Sequence, residues 1–184
     1  MKKTLYKFIF CKIMGWKIVG NIDETVKKSV LVVIPHTSNL DFFIGIFSRG
    51  ILQTEINFVA KKELFVFPFG YYFKSVGGEP LDRSGGKNLV DSIVSIFDKK
   101  ETFRLAISPE GTRKKVTQLK TGFYYIALKA KVPIIPVAFD YGKKEVNFGI
   151  PLYLSGNFND DMKILMQHFK NVKGKNPEYG FNAN

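Results

Sequence analysis

The chain has 184 residues, 45% hydrophobic and 24% charged, enough for one domain with its own core and too few for two ordinary ones. The single cysteine, Cys11, excludes a disulfide framework and a multi-cysteine zinc site, and two histidines, His36 and His168, are too few for a zinc site built mainly from imidazole. The formal net charge is +12, so the surface should attract an anionic partner: nucleic acid, acidic lipid or a phosphorylated small molecule.

The first 19 residues are apolar but punctuated by Lys2, Lys3, Lys7, Lys12 and Lys17. No stretch reaches the roughly 18 apolar residues of a spanning helix. The run Phe8–Cys11 stops at Lys12, too short for the core of an export signal. As a helix, Leu5, Phe8, Ile9, Trp16 and Val19 fall on one side. Lys2, Lys3, Lys7 and Lys17 fall mostly on the other, with Phe10 and Met14 among them and Lys12 within the apolar side. This pattern fits an interfacial membrane helix over 1–19 with snorkelling lysines, ahead of a domain over 20–184. It also fits a terminal helix docked on the domain's own core. Trp16 to Val19 is already compatible with extended chain.

Val30 to Pro35 is a continuous β-branched run, the pattern of a strand buried on both faces. Leu40 to Leu52 reads as a buried helix with Ser38 or Asn39 as N-cap. Ile56 to Ala60 reads as a short strand. Lys61 to Val76 is aromatic-rich and broken by Pro68 and Gly70, which predicts two short helices. Gly77 to Gly86 is a loop with room for a brief strand. Lys87 to Lys100 is an amphipathic helix with Leu89, Ile93, Ile96 and Phe97 on one face. A strand follows at Phe103–Ile107, then a polar loop over Ser108–Lys120. A helix at Thr121–Lys131 and a buried strand at Pro133–Phe139 come next. Glu145 to Leu154 resembles a strand pair around Gly149. Asp160 to Val172 is a helix with acidic residues at its start. The polar tail after Gly174 is expected to fray. Strands alternating with helices give a single α/β domain, with a largely parallel central sheet flanked by helices.

Three segments carry candidate chemistry. In Pro35-His36-Thr37-Ser38-Asn39-Leu40-Asp41 a histidine stands just past the carboxyl end of a buried strand, the edge at which open α/β sheets bind ligands. Asp41, at the next helix start, can fold back to one imidazole nitrogen and leave the other as general base. No nucleophile-elbow serine or cysteine follows. In Gly77-Gly78-Glu79-Pro80-Leu81-Asp82-Arg83-Ser84 the glycines permit close ligand approach, and Arg83 follows in a loop. Only four arginines occur against 24 lysines, so an arginine in a glycine-rich loop suggests two-pronged recognition of phosphate or carboxylate. Ile107-Ser108-Pro109-Glu110-Gly111-Thr112-Arg113 brings a second arginine, a carboxylate and a hydroxyl to the same sheet edge, the makings of an anion cradle. Each segment alone also reads as caps and ordinary loops.

In order, and with Val132-Pro133-Ile134-Ile135-Pro136-Val137 as a fourth block, these segments resemble the lysophosphatidate (1-acylglycerol-3-phosphate O-acyltransferase) family. Val59-Ala60-Lys61-Lys62-Glu63-Leu64 looks like that family's stretch between the first two blocks. The resemblance runs from about Val30 to Phe139. It implies that His36 deprotonates an acceptor hydroxyl, which attacks the thioester of acyl-CoA or acyl carrier protein, with Asp41 orienting the imidazole. It implies that Arg83 and Arg113 hold the acceptor's phosphate. Glu110, Gly111 and Thr112 would shape that pocket, with Gly78 and Lys61 beside them. Backbone N–H groups near the first helix start would hold the oxyanion. No covalent intermediate, metal or cofactor is implied. Pro80 stands where the second block usually has a large apolar residue, Ser108 where the third usually has Phe, and Lys114 where it continues with Ser. Relatives sharing these blocks acylate glycerol phosphate, other lysophospholipids or lyso-aminolipids, so a lyso-ornithine or lyso-glycine lipid is the second acceptor class. A basic membrane- or nucleic-acid-binding module is the non-enzyme alternative. Against nucleic acid, the aromatics cluster in apolar runs such as Leu64–Phe73 instead of alternating with lysines. The expected location is the cytoplasmic face of the inner membrane, held peripherally at an anionic surface.

Overall fold

The computed structural model describes residues 2–81 and 88–181. In chain order, helix α1 (Lys2–Lys7) continues as a π-helical turn over Phe8–Ile13. Strands β1 (Lys17–Val19) and β2 (Lys28–Ile34) follow, then helix α2 (Leu40–Leu52) and strand β3 (Phe58–Lys61). A 3₁₀ turn (Lys62–Phe65) and α3 (Phe69–Ser75) lead to β4 (Gly78–Leu81). The second half holds α4 (Leu89–Lys99), β5 (Phe103–Ile107), α5 (Gly122–Ala130), β6 (Ile134–Asp140), β7 (Glu145–Phe148), α6 (Phe158–Gln167) and a 3₁₀ turn at Pro177–Tyr179.

The apolar run of β2 sits where its composition requires, between two strands of a five-stranded sheet ordered β1-β7-β6-β2-β5. Pairing is parallel except between β6 and β7. Alternate residues of β2 and β6 point to opposite faces, and each face has its own core. Val30, Val32, Ile34, Ile134 and Ala138 pack with Ile93, Phe97, Phe123 and Leu165 of α4, α5 and α6. Leu31, Ile135, Val137 and Phe139 pack with Phe10, Trp16 and Ile44. Full burial of each such side chain stabilises by about 1.5–3 kcal/mol, and this two-sided burial fixes the strand register.

Strands β3 and β4 form a small parallel sheet. Asn57 joins it to the main one: its N–H donates to Arg104 O at 2.7 Å, and its carbonyl accepts from Ala106 N at 2.8 Å. Because β2, β3, β4, β5 and β6 all run the same way, their carboxyl ends share one edge. The loops after β2 and β5 and the turn after β6 therefore meet there.

Several expectations need correction. The helix expected over 1–19 ends at Ile13, and Lys17–Val19 is a strand of the central sheet. Phe10, assigned to the basic side, is fully buried, and Trp16 is in the core rather than at a surface. The helix therefore docks on the domain, yet it leaves Leu5, Phe8 and Ile13 exposed. Glu145–Leu154 is one interrupted strand along β6, not a strand pair. β7 ends at Phe148, and Leu152 bridges to Ile134 of the same strand. At Gly149 the chain passes close to its neighbours, since an added Cβ would lie 2.6 Å from Pro136 and 2.8 Å from His168. Leu89 is exposed, so the inner face of α4 is made by Ile93, Ile96 and Phe97. Helix α6 starts at Phe158 because Asn157 caps it, accepting from the N–H groups of Asn159 and Asp160, and it ends at Gln167, short of Val172. The chain after Gly174 is bonded to the loop after β2: Asn176 N donates to Thr37 Oγ1 at 3.1 Å and Asn176 Nδ2 to Thr37 O at 2.8 Å.

Candidate active site

The loop between β2 and α2 is set by a reciprocal cap. Ser38 Oγ accepts from Leu40 N, and the Asp41 carboxylate accepts from Ser38 N at 2.9 Å, the pattern of a serine followed three residues later by an acidic group at a helix start. This cap turns Asp41 back toward His36, whose Nδ1 lies 3.0 Å from Asp41 Oδ2. A third donor comes from far away in sequence: Tyr141 OH, in the turn after β6, donates to Asp41 Oδ1 at 2.6 Å. The Asp41 side chain is only 2% exposed and that of His36 23%. A buried carboxylate with three donors stays paired without a cation. It also fixes the imidazole, since Nδ1 faces an acceptor and must carry the proton, leaving the Nε2 lone pair available. Burial, the hydrogen bond to Asp41 and its negative charge all raise the Tyr141 hydroxyl above its ordinary pKa, so it remains a donor.

Glu110 sits beneath this loop rather than in the pocket. It is 2% exposed, and its carboxylate accepts from His36 N, Ser108 Oγ and Phe181 N. Burial pushes its pKa up, and the hydrogen bonds from His36 N and Phe181 N oppose the rise. Glu110 thus ties the loop after β5 and the C-terminal segment to the backbone of the histidine. Gly111 adopts φ +64, a left-handed conformation that favours glycine, and so reverses the chain before Arg113.

A cavity of about 250 Å³ opens beside the dyad. Phe42, Gly45, Ile46 and Arg49, one stripe of α2, form one wall; Leu31, Val33, Ala106, Val137 and Phe139 of the sheet form the other. His36, Asp41, Ser108 and Arg113 line it as well, and Phe58 and Val76 are among its other lining residues. An added Cβ on Gly45 would meet nothing within 4 Å, so this glycine contributes open space.

The structure therefore brings His36, Asp41 and Arg113 to one cavity. Thr112 is exposed and its Oγ1 accepts from Lys114 N; Thr112, Gly111 and Glu110 do not line the cavity. Gly78 is buried at the start of β4 against Phe58 and Phe65, and Lys61 is exposed at the end of β3; neither lines the cavity. Arg83 lies outside the described residues. The N–H groups of Ser38, Leu40 and Asp41 at the helix start are engaged within the loop, not turned to an oxyanion. Scarcity of arginine proves a weak guide to phosphate sites. Arg104 donates to the carbonyls of Val26 and Glu24, and Arg49 to those of Ile56 and Ser75. Tyr141 and the Glu110 tether escaped sequence reasoning. The available signal was position: Asp140-Tyr141-Gly142 ends β6 at the same sheet edge as His36.

The family model described as Acyltransferase matches residues 17–140, and the chain belongs to this family. Among similar proteins is a 1-acyl-sn-glycerol-3-phosphate acyltransferase of Saccharomyces cerevisiae, 34% identical over 66% of this chain and 41% of its own length. Another of the same description, from Bacillus subtilis, is 32% identical over 76% of this chain and 74% of its own. The crystal structure of the 1-acyl-sn-glycerophosphate (LPA) acyltransferase PlsC from Thermotoga maritima shares the fold, with a TM-score of 0.59 over 90% of this chain and 74% of that one at 21% identity. The chain spans about half the length of several curated relatives it matches. None of the described helices is long and apolar enough to cross a membrane.

Proposed function

We propose that the chain is an O-acyltransferase moving a fatty acyl group from acyl-CoA or acyl carrier protein to the hydroxyl of a lysophospholipid, with 1-acylglycerol-3-phosphate as the acceptor. One observation carries this reading: the His36–Asp41 pair borders an apolar cavity that Arg113 also lines. His36 Nε2 takes the proton of the acceptor hydroxyl as its oxygen bonds to the thioester carbonyl carbon. The carbon–sulfur bond then breaks, and the departing thiolate receives that proton from the imidazolium. Asp41 stabilises the transient imidazolium and, held by Ser38 N and Tyr141 OH, keeps the ring oriented. No covalent enzyme intermediate and no cofactor beyond the thioester donor enters this scheme. The apolar walls suit an alkyl chain. Arg113, with Arg83, would bind the acceptor's phosphate in a two-pronged manner. The names of the relatives support a glycerophosphate acceptor over a lyso-aminolipid.

The acceptor partitions into bilayers, so the enzyme works at the surface of an anionic leaflet, the cytoplasmic face of the inner membrane. Exposed Leu5, Phe8 and Ile13, with exposed Lys3, Lys7 and Lys12, form an amphipathic attachment element. Each lysine near such a leaflet contributes on the order of 1 kcal/mol. The test is transfer of a labelled acyl group by the purified chain against a panel of lysophospholipids and lyso-aminolipids. Transfer to lysophosphatidate is expected, reduced by roughly 10²–10⁴ in His36→Ala. A His36→Ala variant that keeps wild-type turnover would remove the general base.

A further inference from the structure

The segment between β3 and β4 exposes large apolar side chains in close succession. Phe67 is 84% exposed, Tyr71 76% and Phe69 66%, with Leu64, Val66 and Tyr72 exposed beside them. This is not a loose loop. Phe65 packs on Phe73 with ring centroids 5.9 Å apart, and Gly70 is buried where its absent Cβ would otherwise strike the backbone of Phe65. Arg49 Nη1 reaches Ser75 O and ties the segment to α2. The inner residues hold two short helical turns together so that the outer ones project.

A patch of this density on a monomer marks a binding surface. Charge decides its partner. Lys61, Lys62 and Lys74 flank it against one acidic residue, Glu63. A second copy docked about a twofold axis would bring this basic rim against itself. An anionic phospholipid surface complements both parts: the rings enter the acyl boundary, tyrosines sit at headgroup depth, and the lysines meet the lipid phosphates. The patch also adjoins the cavity, because Val76 at the end of α3 and Phe58 of β3 are cavity residues. We infer that residues 64–72 form a second bilayer-docking element, separate from the N-terminal helix, which inserts Phe67, Phe69 and Tyr71 into an anionic leaflet and sets the Phe58–Val76 end of the cavity against the lipid chains. The assignment of the cavity to an alkyl chain rests on the acyltransferase reading; the docking itself does not.

The test uses the full chain and flotation with vesicles of phosphatidylglycerol and phosphatidylcholine, without substrate. The triple variant Phe67→Ser, Phe69→Ser, Tyr71→Ser, with residues 1–19 intact and circular dichroism unchanged, should partition at least about tenfold more weakly than wild type. The milder Phe67→Trp serves as a second probe. Wild-type Trp16, 5% exposed in the core, supplies the background to subtract. The emission of the new indole should shift to the blue on vesicles and be quenched by lipids brominated along their chains. Unchanged partitioning of the triple variant, or an unquenched Phe67→Trp on bound protein, overturns the inference. So does a wild-type dimer that the triple variant dissolves with no change in vesicle binding, since the patch would then serve self-association. Vesicle binding that does not depend on this patch, with His36-dependent acyl transfer intact, sinks this inference alone, and patch-dependent docking without acyl transfer sinks only the proposed function.

Discussion

Tyr141 and Asp41 lie 100 residues apart in sequence, yet the tyrosine hydroxyl is 2.6 Å from the carboxylate that holds His36. Its ring stands edge-on to Trp16 with centroids 4.8 Å apart, and its N–H donates to Lys173 O at 2.8 Å. The N-terminal segment, the end of β6 and the C-terminal segment thus all converge on the side chain behind the dyad.

Replacing that hydroxyl should expose its part in the chemistry. A hydrogen bond to a charged group is worth about 1.5–3 kcal/mol, so Tyr141→Phe should lower kcat roughly tenfold to a hundredfold if the bond is fully expressed in the transition state. A reduced melting temperature with kcat unchanged would make Tyr141 a packing residue only.

Arg113 tests acceptor recognition. Arg113→Lys keeps the charge but loses the planar fork. The expected result is a raised KM for lysophosphatidate with little change in KM for the acyl donor. Equal effects on both substrates would argue that Arg113 does not hold the acceptor's phosphate.

Gly45 tests the cavity. Its absent side chain leaves open space in a helix interior that lines the cavity. Gly45→Met should therefore be tolerated, and it gains up to about 1 kcal/mol of helix stability. The new side chain would shorten the apolar space, so turnover with long acyl chains should fall about tenfold relative to short ones, a specificity change of about 1.4 kcal/mol. Unchanged chain-length preference at raised stability would place the alkyl chain elsewhere.

Glu110 gives a pH signature in stability. Burial raises its carboxyl above the ordinary 4.5, so the folded chain holds this proton more tightly than the unfolded one. Its contribution to stability is full below the unfolded pKa and declines as pH rises through the folded value. Glu110→Gln removes that titration while its amide oxygen can still accept from His36 N. The variant's stability relative to wild type should therefore increase with pH just above 4.5, read from urea midpoints across that window. A flat or falling difference would contradict a carboxyl raised by burial.

The sequence determined the parts of this protein whose causes are local. Helix α2 runs from Leu40 to Leu52 as its apolar pattern indicates, β2 and β6 follow their runs rich in valine and isoleucine, and β5 forms over Phe103–Ile107 as expected. His36 and Asp41 meet because a capping box over four residues turns one toward the other, and such a cap is encoded within a single turn of chain. Tertiary structure alone decided the rest. Phe10 enters the core because the chain winds as a π-helix from Phe8 to Ile13, with Met14 N bonded to Ile9 O, and a wider turn moves side chains off the positions a 3.6-residue wheel assigns. Trp16 follows it inward because Lys17–Val19 joins the edge of the central sheet. Glu110 reads in sequence as a pocket carboxylate, but the crossing of the loops after β2 and β5 buries it under the His36 backbone. The tail after Gly174 looks polar enough to fray, yet Asn176 finds both polar groups of Thr37. Hydrogen bonds across such sequence distances depend on which strand ends share a sheet edge, and that order is set by two-sided burial of the whole sheet rather than by any neighbouring residue.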